Sequence, residues 1–382
     1  MPTRVRSYSK INLGLAIGAP RPDGFHSLVT LYQTLALHDV VTVAARLAAR
    51  TRISLSCNDP RVPCDPRNTA WKMVEKTLAS QDLCADVRIH IEKNLPIQGG
   101  MGAGSANAAA ALLGLERQLG LQLADAARLE LAAQVGSDVP LFLVGGSVLG
   151  TDRGQLVEPA PDVTLAGQSE IPCVIALPRI GVSTPQAFRD WDRLLSESAS
   201  DLHNSQIPAT IEKLSRAYAS VYGRLMKPET RQNDSGASGI LPDPTLGQDL
   251  SSSDKQQSLS REQRHPSLHS FKNPDESGIG IDLAGNSLLA LVRTGIENDF
   301  ETVVFPQNPL LREIKRHLMG TSAEAGCAVI AALSGSGSAL FGLYRTPEDA
   351  VAAQQRLQQQ GVEAIVTKTM PRATYWGEMF AE

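Results

Sequence analysis

The sequence predicts an α+β protein built from two domains. Three observations carry that expectation. The chain has 382 residues, enough for two domains of about 100–200 residues each. Its opening part alternates apolar and polar residues in strand-length runs, and a glycine-rich turn then leads into an Ala/Leu-rich helical segment. Its closing part reads strand, Gly/Ser turn, strand, helix, strand, an order that suits a small sheet with helices on one face. The two domains are expected at 1–160 and 161–382, the second interrupted by an insertion at about 228–280.

The elements follow in order. Residues 5–17 alternate as a strand, so Lys10, Asn12 and Gly14 share one side and Ile11, Leu13, Leu15 and Ile17 the other. Arg21-Pro22-Asp23-Gly24 is turn chemistry. Two strands are expected at 28–37 and 40–44, joined by a turn near His38-Asp39. Asn68 is placed to cap a helix over 69–79, and 87–91 alternates as a strand. The stretch Gly99-Gly100-Met101-Gly102-Ala103-Gly104 precedes a helix over 105–119, and a second helix follows over 123–135. Gly136-Ser137-Asp138-Val139-Pro140 breaks it, with extended structure expected at 142–144 and 147–149. A strand at 173–177 and helices at 184–195 and 207–225 come next. The insertion holds ten serines and one aromatic, Phe271. It cannot bury enough apolar surface to offset chain entropy, so a disordered or loosely held segment is expected. A helix at 307–318, strands at 328–333 and 339–344, a helix at 347–359 and a strand at 363–367 complete the chain.

Composition narrows the function classes. Lys plus Arg number 36 and Asp plus Glu 40, a net charge of −4. A protein that grips nucleic-acid backbone is expected to be basic, so no nucleic-acid partner is expected. Cys57, Cys64, Cys84, Cys173 and Cys327 are scattered without CxxC spacing. That disfavours a structural zinc or a disulfide framework and fits a reducing, cytoplasmic compartment. No apolar run approaches the roughly 18 residues of a membrane span, and no membrane partner is expected. Arg4, Arg6 and Lys10 around the start of the run 11–19 superficially resemble a secretion signal. Asn12 and two glycines interrupt that run, which favours a strand and turn.

Four motifs carry chemistry. A glycine-rich turn entering a helix lets backbone approach a phosphate and offers free N–H groups at the positive end of the helix dipole. It is neither a Walker A loop, having no lysine after Gly104-Ser105, nor GxGxxG. Lys10 beside Asn12 can neutralise a transferring phosphoryl group and orient a hydroxyl. Asp138, set in an otherwise apolar stretch, needs a partner such as Lys10 and can then accept a proton. Ser334-Gly335-Ser336-Gly337-Ser338 permits close approach of a ligand or a second loop. Taken singly, each has a plainer reading: a flexible turn, a snorkelling lysine, a capping aspartate, a hairpin turn. Phe25, His26 and Phe188, singly, read as packing.

Jointly and in this order, the motifs resemble the GHMP kinase superfamily of small-molecule kinases. The similarity rests on Ser9-Lys10-Ile11-Asn12-Leu13-Gly14-Leu15, on Arg21 through His26, and on Asn94-Leu95-Pro96-Ile97 through Gly104-Ser105-Ala106-Asn107-Ala108-Ala109. Gly136 through Pro140, Asn298-Asp299-Phe300-Glu301 and the Ser334–Ser338 loop extend it, so that it covers about 1–190 and 296–370. The opening motif points to the branch whose substrate is an alcohol carrying a cytidine diphosphate, in non-mevalonate isoprenoid synthesis.

The resemblance implies a two-domain GHMP kinase fold. An N-terminal mixed sheet with helices faces a C-terminal ferredoxin-like α/β sandwich across the active-site cleft. It implies ATP, with Mg2+ bound to it, as phosphoryl donor to a 2-hydroxyl. Asp138 would be the base and Lys10 its partner. Asn12 would position substrate, Phe25 and Phe188 would sandwich the cytosine, and His26 would hydrogen-bond it. Lys93, Pro96, Gly99, Gly100, Gly102, Gly104, Ser105 and Asn107 would hold ATP, with Ser334, Gly335, Ser336 and Gly337 as a supporting loop. No carboxylate stands out as dedicated to metal, and a monomer or weak homodimer is expected. Gln98, Met101, Ala103 and Ala106 depart from the usual loop. An Ala103 methyl would crowd phosphates if that position needed positive φ. The other readings are a kinase for an alcohol of the homoserine or mevalonate type and a degenerate, non-catalytic binding module.

Overall fold

A computed structural model describes residues 1–97, 99–200, 208–222, 285–321 and 326–381, with side chains excepted at 198–200 and 208–210. The expected insertion at about 228–280 and Gln98 lie outside the described residues. The architecture is α+β, with two sheets.

The larger sheet has seven strands. β1 (Thr3–Pro20) and β2 (His26–Leu47) form one long antiparallel ribbon. The turn between them keeps Gly24 at φ +80. β2 was expected as two strands. It is one, because the extra residues near Ala36 and Leu37 are taken up as a register shift between Tyr8↔His38 and Ser9↔Leu35. Such an irregularity bends a strand without ending it. β3 (Arg52–Cys57) runs parallel to the next strand, and α1 (Thr69–Ser80) follows a loop. Asn68 caps α1 as expected, its side chain accepting from the Ala70 N–H. β4 (Ala85–Glu92) pairs with the second half of β2, and α2 (Ala103–Leu119) crosses beneath. α2 is buried nearly all round, which its run of alanines permits. A Cβ on Gly114 would meet Val43 at 2.7 Å, so helix and strand touch at backbone distance there.

α3 (Asp125–Val135) ends at Gly136, and residues 140–143 form a 3-10 turn. Extended structure was expected at 142–144. Pro140, with its fixed φ at the first helical position, favours the turn instead. β5 (Ser147–Thr151) and β6 (Leu156–Pro159) then pair as a hairpin against the first half of β2.

The smaller sheet begins with β7 (Pro172–Leu177) and is interrupted by helices α4 (Thr184–Ser200), α5 (Pro208–Tyr222), α6 (Ser287–Arg293), α7 (Phe300–Gln307) and α8 (Pro309–Met319). One helix was expected over 307–318. It is α8, starting at Pro309 after Asn308, while the preceding α7 was not expected. β8 (Ile330–Leu333), β9 (Leu340–Leu343), α9 (Pro347–Gln359) and β10 (Glu363–Lys368) follow. Their order across the sheet is β10-β7-β9-β8, antiparallel throughout, which is the ferredoxin-like arrangement. α10 (Arg372–Gly377) and β11 (Phe380–Ala381) return the chain to β1.

Three hydrophobic clusters hold these parts. The first lies between the large sheet and α1–α2. The second joins Ile11, Leu13, Leu31 and Leu35 to Cys173, Ile175, Phe341 and Leu343, so β1 and β2 bury their other face against the small sheet. The third fills the small sheet and its helices. Among the described residues no helix is long and apolar enough to cross a membrane.

Candidate active site

β1 supplies the first charged group. Lys10 and Asn12 share a face, as the period of two requires, and each is 2% exposed. Because Ile11 and Leu13 are equally buried, this stretch of β1 is covered on both sides. A buried ammonium requires partners. Lys10 Nζ donates to Asn12 Oδ1 at 2.7 Å, stands 3.4 Å from Asp138 Oδ2, and sits over the Tyr32 ring, 5.5 Å from its centroid. Asn12 is fixed in turn by donating to Thr30 Oγ1, which donates to the Gly14 carbonyl.

Asp138 comes from the short turn between α3 and the 3-10 segment. Val139 and Phe142 anchor that turn in the core, while the Asp138 side chain stays 34% exposed. One of its oxygens faces Lys10. The other accepts from the Tyr32 hydroxyl at 3.2 Å. Burial first, and the Asp138 charge second, push the Tyr32 phenol well above its ordinary value. Tyr32 therefore stays a donor at every working pH. Sequence reasoning missed Tyr32, which reads there as one more β-former. The available signal was Gly150 in the neighbouring strand: a Cβ there would lie 2.6 Å from the Tyr32 ring.

The glycine loop adjoins this pair. The Lys10 N–H donates to the Met101 carbonyl at 3.1 Å. Gly102, at φ +72, is the N-cap of α2 and carries no side-chain cap. A Cβ there would meet the Phe142 ring at 2.8 Å and Lys10 Cγ at 3.2 Å. Its absence lets Lys10, the loop and the Asp138 turn converge. Gly100, at φ +76, lies against the second loop, where a Cβ would be 1.9 Å from the Ser334 carbonyl oxygen. Ser334 Oγ also donates to the Gly100 carbonyl. Asn298 Nδ2 bonds the Leu333 and Gly335 carbonyls, and Ser336 Oγ meets Thr184 Oγ1 at 2.7 Å. The Ser334–Ser338 loop thus braces the glycine loop. Ala103 is the first residue of α2 and has no positive φ, so its methyl is not strained.

A cavity of about 400 Å³ opens over the N-terminus of α2. Lys93, Pro96, Gly100, Gly102, Gly104, Ser105 and Asn107 are among its lining residues. Gly99 is not among the lining residues and packs near Ala339. Val62, Pro63, Arg67, Asn68 and Thr69 complete the lining and were not singled out from sequence as binding residues. Lys93 does not point freely into the cavity. Its Nζ lies 2.7 Å from Asp39 Oδ2 with both side chains buried, and Asp39 Oδ1 accepts from the Asn94 and Leu95 N–H groups. Among the described residues no group of three His, Cys, Asp or Glu is arranged to hold a metal ion.

Of the remaining predicted residues, Phe25 precedes β2, His26 opens it and Phe188 lies on α4. His26 is 6% exposed and stacks on Phe188, centroids 4.8 Å apart. Phe188 also meets Phe300 edge-on. Phe25 is 49% exposed and its ring partner is Arg153, 4.7 Å away. Phe188 is therefore brought to His26, while Phe25 makes no ring contact with either.

Comparison with known proteins bears on this arrangement. Residues 68–146 match the GHMP kinases N terminal domain, and residues 276–363 match the GHMP kinases C terminal domain. A Synechococcus protein named 4-diphosphocytidyl-2-C-methyl-D-erythritol kinase is 31% identical, over 95% of this chain and 92% of its own. A Rhodococcus jostii protein of the same name is 41% identical over 51% of this chain and 61% of its own. The first three curated relatives are matched over 61%, 65% and 63% of their lengths. A crystal structure of a 4-(cytidine 5'-diphospho)-2C-methyl-D-erythritol kinase superposes with a TM-score of 0.58, covering 96% of this chain and 98% of that one. At 22% identity that likeness concerns the fold.

Proposed function

Since the chain belongs to the GHMP kinase family, we propose that it transfers the γ-phosphate of ATP to the 2-hydroxyl of 4-diphosphocytidyl-2-C-methyl-D-erythritol. The observation that carries this reading is the Lys10–Asp138 pair at 3.4 Å, set beside a glycine loop and an uncapped helix N-terminus. The names of the curated relatives supply the substrate.

ATP fits the cavity by chemistry. The first turn of α2 offers N–H groups and a positive dipole end, and the glycines admit phosphate oxygens to backbone distance. Magnesium would arrive on the nucleotide phosphates, where it supplies charge neutralisation. The chain's own groups do the rest. Asp138 accepts the hydroxyl proton. Lys10 faces both the carboxylate and the transferring group, and its buried charge acts in a medium of low polarity. Tyr32 and Asn12 hold these two side chains in place, so little reorganisation is left for the reacting state. Phe188 and the half-exposed Phe25 offer stacking faces for the base, and His26 offers a hydrogen bond. Domains at 1–160 and 161–382 would close on this cleft, in the cytoplasm.

The test is ADP release by the purified full chain with Mg-ATP, followed by phosphorus NMR of the product. Substrate-dependent ADP and a new phosphomonoester at the 2-hydroxyl are expected. Turnover of mevalonate or homoserine but not of the cytidylyl compound would overturn the substrate.

A further inference from the structure

Asp192 lies on α4, one helical turn beyond Phe188. Its Oδ1 is 2.7 Å from Nε2 of His26. The His26 ring is inclined only 17° to that of Phe188. One helix therefore fixes both the plane of the imidazole and one of its nitrogens. The two nitrogens of a neutral histidine differ: one carries the proton and donates, the other accepts. A carboxylate only accepts, so in the neutral ring Nε2 carries the hydrogen and Nδ1 keeps a lone pair. Among the described residues Nδ1 has no partner.

That leaves an acceptor at the edge of a flat aromatic ledge. A base bonded in the plane of the imidazole extends that plane and lies along the Phe188 face, as stacking favours. The group it presents to Nδ1 must then be a donor. Cytosine carries an amino group at its 4-position, whereas uracil carries an oxygen that only accepts. A uracil would set two lone pairs against each other, unless the proton moves to Nδ1 at the expense of the Asp192 bond or the ring takes up a second proton.

We propose that Asp192 is a positioning residue that sets the tautomer of His26 and so selects an amino-bearing pyrimidine over a carbonyl-bearing one. The inference rests on the reading that a cytidine diphosphate substrate docks its base beside His26.

The test has two arms. In the first, the full chain is labelled with 15N-histidine and the His26 resonances are assigned by their loss in His26→Gln. Wild type is expected to show a protonated Nε2 and an unprotonated Nδ1. Asp192→Ala is expected to show exchange between tautomers. A protonated Nδ1 in the wild type overturns the proposal, and this arm needs no turnover. In the second arm, kcat/KM is compared for the cytidine- and uridine-diphosphate forms of the same methylerythritol alcohol. Asp192→Ala is expected to lose about tenfold or more of the preference for cytidine, the worth of a charge-assisted hydrogen bond. The loss falls on KM more than on kcat. Asp192→Glu, and Asp192→Asn through its amide oxygen, restore most of the preference. An equal rise in KM for both substrates, with the preference intact, would reduce Asp192 to a structural role and refute the proposal. Failure of wild type to use either compound, with the tautomer as expected, would strike the substrate assignment and leave the tautomer standing.

Discussion

At the residue scale, the site is a small set of groups that hold one another. Asp138→Asn keeps the shape of the side chain and removes the proton acceptor. It is expected to lower kcat by about 10²–10⁴ with the melting temperature retained; unchanged turnover would remove Asp138 from the mechanism. Tyr32→Phe deletes only the hydroxyl that meets Asp138. A loss in kcat of about tenfold, with KM for both substrates nearly unchanged, is the expected result, since a hydrogen bond to a charged group contributes about 1.5 kcal/mol. Lys10, Asn12 and Asp138 were legible in the sequence because a lysine and an amide two apart on a strand must share a face, and an aspartate in an apolar stretch needs a partner. Tyr32 was not legible. Its hydroxyl gains meaning only when β2 passes the Asp138 turn, and no local pattern states that meeting.

At the element scale, the glycine loop separates into positions that need glycine for different reasons. Gly100 combines φ +76 with a Cβ position 1.9 Å from the Ser334 oxygen. Gly100→Ala is expected to destabilise by about 3 kcal/mol or more, seen as a drop in melting temperature. Gly104 lies inside α2, and its Cβ would meet only Thr69 Oγ1 at 3.5 Å. Gly104→Ala should melt at or above wild type, because alanine favours helix, and yet raise KM for ATP, because the methyl faces the cavity. Equal melting losses in both variants would show that the loop's braces are not what they seem in the fold. The Asn68 cap and the glycine-rich turn made α1 and α2 readable in advance. The division of 300–319 into α7 and α8 and the 3-10 turn at Pro140 were readable in kind from their prolines, but the longer apolar pattern masked them. The brace between Gly100 and Ser334 was beyond reach, since it joins residues far apart in the chain.

At the scale of the whole molecule, tyrosines report on integrity. Burial is the first cause of a raised phenol in Tyr8 and Tyr222, each at about 12, and in Tyr32, Tyr344 and Tyr375. Tyr8 and Tyr32 lie in the larger sheet, Tyr344 follows β9 of the smaller one, and Tyr222 and Tyr375 lie on α5 and α10. Up to the ordinary value near 10, folded and unfolded forms hold the same phenolic protons, so stability is unaffected. Above it the unfolded chain releases protons that the fold retains, and stability falls as pH rises. Alkaline titration should therefore show tyrosinate absorbance and loss of circular dichroism rising together; ionisation of these phenols well before unfolding would contradict the packing. The division into two sheets was legible from element order. The joint cluster in which Ile11 and Leu13 meet Ile175 and Phe341 was not, because alternation marks the apolar face of β1 without naming the layer it packs on.

The strand order of the smaller sheet also has a consequence in time. β7 lies between β9 and β10, yet both are made long after it. A ribosome adding about 5–20 residues each second leaves Cys173, Val174, Ile175 and Ala176, all destined for full burial, without their strand neighbours for on the order of ten seconds or more. During synthesis that short apolar stretch waits without either strand partner and is expected to need a chaperone's shelter.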